Sequence, residues 1–186
     1  MDSLDFHIKG IAPIICHNAR LSDPLNEWTR AVAEISGKRK KTNADHEELA
    51  RREWFGGLYL NEAGNPCIPG SNLERMLRDA AAKTKNGKNV QAGAIVPDDA
   101  ELIYKGPKVS EKLWAAGEFQ IRSSVKIGQQ RVMRTRPCWK VWELVFTVLF
   151  DEEILNPAKI GEFVQTAGQY IGLGDWRPKH GRFEVI

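Results

Sequence analysis

The pattern of apolar and polar positions is clearest in residues 141–186, where it predicts a strand, a helix, a glycine turn and a closing strand. Residues 141–150 are rich in β-branched, aromatic and aliphatic side chains, as a largely buried strand requires. Asn156 followed by Pro157 predicts a helix start, because Asn caps free backbone N–H groups and Pro tolerates the first helical position. Apolar residues then recur at helical spacing as far as residue 170, and residues 182–185 alternate as a strand.

Three further segments have the patterns of a sheet and a covering helix. Residues 6–16 predict the first strand, and residues 72–83 carry the apolar stripe of a helix. Residues 119–127 alternate between apolar and polar side chains, as a strand with one buried face does. We expect this strand to pair with residues 141–150 as a long hairpin, joined by the basic connection 128–137.

The order of these elements predicts the fold class. With a helical insertion at 18–54 and a loop-rich insertion at 84–117 set aside, the order is β-α-β-β-α-β. The sequence therefore predicts a single domain, residues 1–186, of the α+β class, with an antiparallel sheet that carries both helices on one face. We also expect the insertion at 18–54, which follows the first strand, to contact a neighbouring copy of the chain.

The composition is that of an ordinary soluble globular protein, with 186 residues, 42% hydrophobic and 27% charged. No apolar run approaches the roughly 20 residues of a membrane helix. The N-terminus carries acidic residues where a signal peptide carries basic ones. Cys16, Cys67 and Cys138 are odd in number and too far apart for a disulfide framework or a zinc site. We therefore expect a cytoplasmic protein with no membrane partner, metal or cofactor.

The basic residues are unevenly distributed, although the formal net charge is only +3. Residues 119–142 contain six basic residues and no acidic one, and residues 38–41 form a second basic cluster. Such a local excess is typical of a surface that binds a polyanion, although a solvated loop has the same composition. We expect Arg134 and Arg136 to share one side of an extended chain, exposed at the tip or rim of the hairpin, without acids to neutralise them.

Two other segments extend this candidate surface. The helix that begins near Ser71 exposes backbone N–H groups that can receive a phosphate, although an ordinary capped helix has the same sequence. The glycine turn near the C-terminus carries basic side chains and Trp176, which can stack a base. The candidate nucleic-acid-binding residues are Lys38, Arg39, Lys40, Lys41, Ser71, Arg75, Arg78, Arg131, Arg134, Arg136, Trp176, Arg177, Lys179 and Arg182.

Three segments, taken in their order along the chain, resemble one protein family. Residues 68–78, Ile-Pro-Gly-Ser-Asn-Leu-Glu-Arg-Met-Leu-Arg, are similar to a characteristic segment of the RAMP superfamily. The glycine-rich loop and closing strand at 172–185 resemble that superfamily's C-terminal loop, and residues 8–15 resemble its first strand. The superfamily supplies the backbone subunits of CRISPR effector complexes. The resemblance therefore indicates a compact, divergent relative, phage- or plasmid-borne.

The resemblance implies a modified RRM, or ferredoxin-like, fold whose open sheet face offers aromatic stacking and a basic rim to single strands. It implies binding to single-stranded RNA, with DNA as an open alternative. It also implies head-to-tail assembly of copies into a filament along the strand, with other effector subunits as further partners. Some members of the family cut RNA with a loop aspartate, and no residue here matches that motif.

Two other classes of function remain open. A divalent-ion-dependent nuclease needs carboxylates in a compact motif, and the available aspartates form none. A phage structural or assembly protein would use the basic segments for contacts between subunits. Our leading expectation is a non-catalytic protein that binds single-stranded nucleic acid. The aspartates considered for a nuclease are Asp23, Asp45, Asp98, Asp99 and Asp175.

Overall fold

The computed structural model describes residues 1–186 and contains both helices and antiparallel strands. The strands are β1 (Asp2–Gly10), β2 (Ile14–Ile15), β3 (Cys67–Ile68), β4 (Ala94–Ile95), β5 (Ala100–Glu101), β6 (Gln120–Ile127), β7 (Gln130–Trp139), β8 (Glu143–Phe150) and β9 (Phe183–Val185). The helices are α1 (Glu27–Ser36), α2 (Asn43–Gly57), α3 (Gly70–Ala82), α4 (Gly87–Gly93), α5 (Ser110–Ala116) and α6 (Pro157–Thr166). The α+β class predicted from the sequence is confirmed.

The central sheet has the strand order β4-β8-β1-β9, with antiparallel neighbours throughout. In its two middle strands the even-numbered residues are the buried ones, such as Phe6 and Ile8 of β1 and Leu144 and Phe146 of β8. Phe6 lies directly opposite Phe146, and their ring centroids are 5.6 Å apart. Helices α3 and α6 contact each other and supply apolar side chains to the same core. One face of the sheet is therefore buried, as alternation with period two requires.

The odd-numbered residues of β1 and β8 point away from this core and form what we call the open face. His7 and Glu143 are joined across the two strands, with Nε2 and Oε2 2.9 Å apart. Thr147 donates its hydroxyl to Asp5, with 2.6 Å between the oxygens. The open face consists of Ser3, Asp5, His7 and Lys9 of β1 and Glu143, Val145, Thr147 and Leu149 of β8.

The expected pairing of residues 119–127 with residues 141–150 is wrong. Strand β6 pairs with β7, whereas β8 pairs with β1. The segment 128–137, expected to be a basic connection, is mostly strand β7, and a two-residue turn at Gly128 joins it to β6. Gly128 has a φ of 58°, which glycine adopts without steric cost and which suits a tight hairpin turn. The basic side chains of β7 concealed its strand character.

The first strand also differs from the expected span of residues 6–16. It begins earlier, at Asp2, and ends at Gly10, where an added Cβ would overlap the Trp142 indole. Pro13 cannot donate to a sheet ladder. The chain then re-enters extended structure as β2, which pairs with β7 in a second sheet of order β2-β7-β6.

The segment 18–54, expected to be an insertion that contacts a neighbour, packs within its own chain. Trp54, near the end of α2, is fully buried, and its Nε1 donates to the Phe119 carbonyl oxygen at 2.8 Å. The next residue, Phe55, stacks on Trp28 of α1 with 5.8 Å between ring centroids. Helices α1 and α2 therefore belong to the core.

The segment 84–117, expected to be loop-rich, contains α4, β4, β5 and α5. Strand β4 pairs with the end of β8, and β5 pairs with β3. Each of these elements is short; in α4, for example, Val90 is the buried side chain that holds the helix to the core. No helix of the protein is both long enough and apolar enough to span a bilayer.

Replacing Trp54 with Ala tests whether the 18–54 segment is integral to the core. We expect the free energy of unfolding to fall by about 3–5 kcal/mol, since a fully buried Trp is truncated. Leu25→Ala in the same segment is the control, because Leu25 is 74% exposed and should change stability by no more than about 0.5 kcal/mol. Urea denaturation measures both variants; equal stabilities would show that the segment is peripheral.

Candidate nucleic-acid interface

Four clefts follow one another across the surface, and each shares lining residues with the next; we call them the linked clefts. The first, of about 240 Å³, lies beside α3 and shares Arg75 with the second, of about 190 Å³. The second shares His17 with the third, of about 430 Å³. The third shares Arg134 with the fourth, of about 580 Å³. The candidate residues that line them are Lys41, Ser71, Arg75, Arg78, Arg134, Arg136, Trp176 and Arg177.

Three arginines converge on one carboxylate at the start of the linked clefts. Arg75 and Arg78 of α3 lie 3.8 Å and 3.3 Å from the Asp79 carboxylate. Arg177, from the other end of the chain, lies 3.6 Å from the same group. Three guanidinium groups thus share one negative charge, and the excess positive charge is available to an anion.

Helix α3 begins at Gly70, two residues before the predicted start. Its N-cap is Pro69, so neither Ser71 nor Asn72 caps it with a side chain. Instead, the Gly70 N–H donates to the Asp99 carboxylate at 3.1 Å. The Ser71 side chain is therefore not used for capping, and it lines the first cleft.

The glycine-rich loop at 172–181 lies against the connection between β1 and β2. The Asp175 N–H donates to Ile15 and the Gly181 N–H to Pro13, both at 2.8 Å to the carbonyl oxygens. Gly174 has a φ of 79°, and an added Cβ would overlap the Ile15 carbonyl. Glycine is therefore needed at position 174 so that the two backbone segments can approach this closely. The contact fixes Asp175, Trp176 and Arg177 between α3 and the hairpin.

The expectation that Arg134 and Arg136 are exposed and free of acids is wrong. Arg134 forms an ion pair with Glu53 of α2, whose side chain is only 7% exposed, and Arg136 forms one with Asp175. The second oxygen of Glu53 accepts from the Thr135 N–H at 2.9 Å. The acids are distant in the sequence, which is why the acid-free stretch 119–142 concealed them. The two arginines do share one side of β7, as expected.

Arg131 lies on the opposite side of the hairpin from Arg134 and Arg136. Its cross-strand partner is Lys126, whereas Arg134 lies opposite Ser123. Side chains separated by an odd number of residues along a strand point to opposite faces of the sheet. The three arginines therefore do not form one row, and Arg131 is outside the linked clefts.

The other basic candidates lie apart from the linked clefts. Lys38 forms an ion pair with Asp45 at 2.6 Å, and the Arg182 Nε donates to the Pro178 carbonyl at 2.8 Å. Arg39, Lys40 and Lys179 are exposed. Of the basic cluster at residues 38–41, only Lys41 lines a cleft.

Aromatic stacking is not available on the open face, which carries no aromatic side chain other than His7. Trp176 is the tryptophan that lines the linked clefts. The Arg136 guanidinium carbon lies 4.6 Å from its ring centroid, a cation–π contact that covers part of the ring. Trp176 also lines a hollow next to Tyr170 and Pro178, so it stands between two openings.

Sequence analysis missed three polar residues of the second cleft: His17, Tyr59 and Asn72. Burial and the nearby Arg136 lower the pKa of His17, and burial raises the pKa of Tyr59. The Tyr59 hydroxyl donates to the His17 carbonyl at 3.0 Å. A histidine next to a strand is usually a packing residue, and no local motif connects it with Tyr59 or Asn72.

Three of the five aspartates weighed for a nuclease have other partners. Asp45 caps α2 by accepting from the Thr42 N–H, Asp99 accepts from Gly70, and Asp175 pairs with Arg136. Nowhere in the chain do three or more His, Cys, Asp or Glu side chains lie together as ligands of a metal ion.

No protein-family model matches the chain, and no curated protein matches it significantly.

Gly174→Ala tests the backbone contact that positions the terminal loop. Gly64 provides a matched control, because its φ of 78° is almost the same but no atom lies within 4 Å of an added Cβ. Both variants should lose about 1–2 kcal/mol of stability from the left-handed backbone. Gly174→Ala should lose about 1–3 kcal/mol more, from overlap with Ile15. Equal unfolding free energies in urea would contradict the close approach.

Proposed function

We propose that this protein is a non-catalytic binding protein for single-stranded nucleic acid, RNA rather than DNA, that assembles head-to-tail along the strand. The observation that carries the proposal is the row of linked clefts, whose walls bring arginines from α3, β7 and the terminal loop together with Trp176. These groups lie far apart in the sequence. Their meeting in a continuous surface is what a polyanion requires.

The chemistry of the linked clefts favours phosphate contacts. Arginine binds phosphate in a bidentate manner, and the three arginines around Asp79 leave positive charge uncompensated. Trp176 adds a ring on which any base can stack. Such contacts position a strand without selecting its sequence, which is the property that a coating protein needs.

The order of the central elements supports a ferredoxin-like, modified RRM fold. Taken as β1, α3, β4, β8, α6 and β9, they have the β-α-β-β-α-β order, and the sheet order β4-β8-β1-β9 places the first and third of its strands at the centre. Strand β4 then takes the place of the second strand of that order and is only two residues long. This arrangement supports the resemblance to the RAMP superfamily. It also supports the properties that the resemblance implies, namely RNA binding and assembly of copies into a filament.

The proposed strand path differs from that of an RRM that binds through its sheet. The open face carries Asp5 and Glu143, and negative charge there repels a phosphate backbone. The linked clefts instead run along the junction of α3, the terminal loop and the β6–β7 hairpin. Binding should therefore depend on arginines of this junction and be insensitive to the open face.

Arg75→Ala combined with Arg78→Ala tests the proposal, since both side chains are well exposed and their removal should leave the fold intact. We expect affinity for a short oligo(U) to fall by about tenfold or more at low salt, equivalent to about 1.4 kcal/mol. The log–log salt slope should flatten by about 0.7 for each phosphate that the variant no longer neutralises. Fluorescence anisotropy over a salt series measures both quantities.

The control for this experiment is Lys88→Ala with Lys112→Ala, which removes the same charge from exposed positions outside the linked clefts. Unchanged affinity and salt slope in the arginine variant, relative to this control, would contradict the proposed path. Wild-type protein that binds no single strand would favour the phage structural alternative. Cleavage of the oligonucleotide that requires Mg²⁺ would favour the nuclease alternative. Parallel oligo(dT) titrations compare RNA with DNA.

A further inference from the structure

The open face is an uncovered sheet surface with both apolar and acidic character. Val145 at its centre is 49% exposed, and Ile95 and Ile103, which pair with the ends of β8, are 43% and 45% exposed. Asp5 and Glu143 lie on the same face, and Glu184 adds a third carboxylate opposite Lys9. The face thus carries three carboxylates against one ammonium group. No element of the chain covers it.

The β6–β7 hairpin has an outer face of the opposite charge. Strand register places Arg122, Ser124 and Lys126 of β6 on one side together with Met133 and Arg131 of β7. All five side chains are exposed, and none of the three cations forms an ion pair within the chain. Arg122 and Met133 also line the fourth cleft and Lys126 lines the third, so this side of the hairpin borders the linked clefts. Met133, 46% exposed, places an apolar side chain among them.

The turn end of the hairpin is open to solvent, since every residue from 126 to 131 is exposed. Strand β6 pairs with β7 alone, and β7 pairs with β2 only at its C-terminal end. Between Ile121 and Ile127 the ribbon extends about 20 Å, at roughly 3.3 Å per residue. This exposed end of the hairpin is therefore accessible to a second molecule.

We propose that the outer face of this hairpin docks on the open face of a second copy of the chain. Arg122, Lys126 and Arg131 meet the carboxylates of Asp5, Glu143 and Glu184, while Met133 packs on Val145 and its aliphatic neighbours. The match is both electrostatic and apolar, as specific interfaces require. This inference rests on the proposed head-to-tail assembly and names the two surfaces that form its contact.

The two surfaces lie on different parts of the same chain, so the contact is heterologous. Each copy offers one hairpin and one open face, and the contact can repeat into an open chain. The inner side of the hairpin, with Arg134 and Arg136, remains free to line the linked clefts. One ribbon thus contacts the neighbouring protein on one side and the strand on the other.

Charge reversal in two complementary variants tests the contact on protein freed of nucleic acid. One variant makes the hairpin acidic outside the linked clefts, Ser124→Glu with Arg131→Glu, and the other reverses the open face, Asp5→Lys with Glu143→Lys. We expect each variant alone to associate at least about tenfold more weakly than wild type in sedimentation velocity at low salt. An equimolar mixture should recover assembly, because acidic hairpins then meet basic faces and basic hairpins meet acidic faces in alternation.

Two matched controls carry the same charge changes at exposed positions elsewhere: Lys88→Glu with Asn89→Glu, and Glu152→Lys with Glu153→Lys. Both should assemble as wild type does. Recovery in the mixture also shows that each reversed variant is folded, since a misfolded chain is not rescued by its partner. A wild type that is monomeric free and on a long strand, reversed variants that assemble normally, or a mixture that stays dissociated would each overturn the inference.

A short oligonucleotide that accommodates one copy separates this inference from the proposed function. If the reversed variants bind it like their controls and fail only in assembly, the docking contact stands. If wild type assembles but does not bind the oligonucleotide, the nucleic-acid proposal fails and the docking contact stands. If the hairpin variant alone fails to bind the oligonucleotide and the mixture does not assemble, the outer face is a nucleic-acid surface and the docking contact is excluded.

Discussion

The contact between the terminal glycine loop and residues 13–15 is the constraint on which the candidate interface depends. Two backbone hydrogen bonds, from Asp175 to Ile15 and from Gly181 to Pro13, join the last segment of the chain to the link between the two sheets. A Cβ at Gly174 would overlap the Ile15 carbonyl, and a Cβ at Gly181 would overlap Leu173 within the loop itself. Because the loop is held there, its side chains reach α3 on one side and β7 on the other.

The carboxylates of the interface have two opposing effects. Glu53, Asp175 and Asp79 hold the arginines in place before any ligand arrives, which reduces the conformational entropy that binding must restrict. The same carboxylates compete with phosphate for the guanidinium groups. The balance between these two effects differs along the linked clefts, because Arg134 and Arg136 each have their own acid whereas three arginines share Asp79. Arg134 and Arg136 are therefore each neutralised, whereas the arginines beside α3 keep an excess of positive charge.

The sequence predicted those elements whose signals are local. The Asn156–Pro157 start and the apolar stripe after it predicted α6, and a similar stripe predicted α3 with a boundary error of two residues. Strand β8 was found, but its partner was not, because pairing depends on residues more than 130 positions apart, such as Phe6 and Phe146. For the same reason the acids that meet Arg134 and Arg136 were invisible in residues 119–142. His17 and Tyr59 meet only through the fold.

Strand parity explains how one basic ribbon can contribute to the two proposed surfaces. Arg134 and Arg136 are two residues apart and face the linked clefts, whereas Arg131 lies an odd number of residues away and faces outward. A shift of the hairpin register by one residue would exchange the two sides. The two-residue turn at Gly128 fixes this register at one end, and the pairing of β7 with β2 fixes it at the other. The basic composition of the segment is the same in either register, but only the observed register aligns Arg136 with Asp175 and Trp176 and leaves Arg131 without an ion-pair partner.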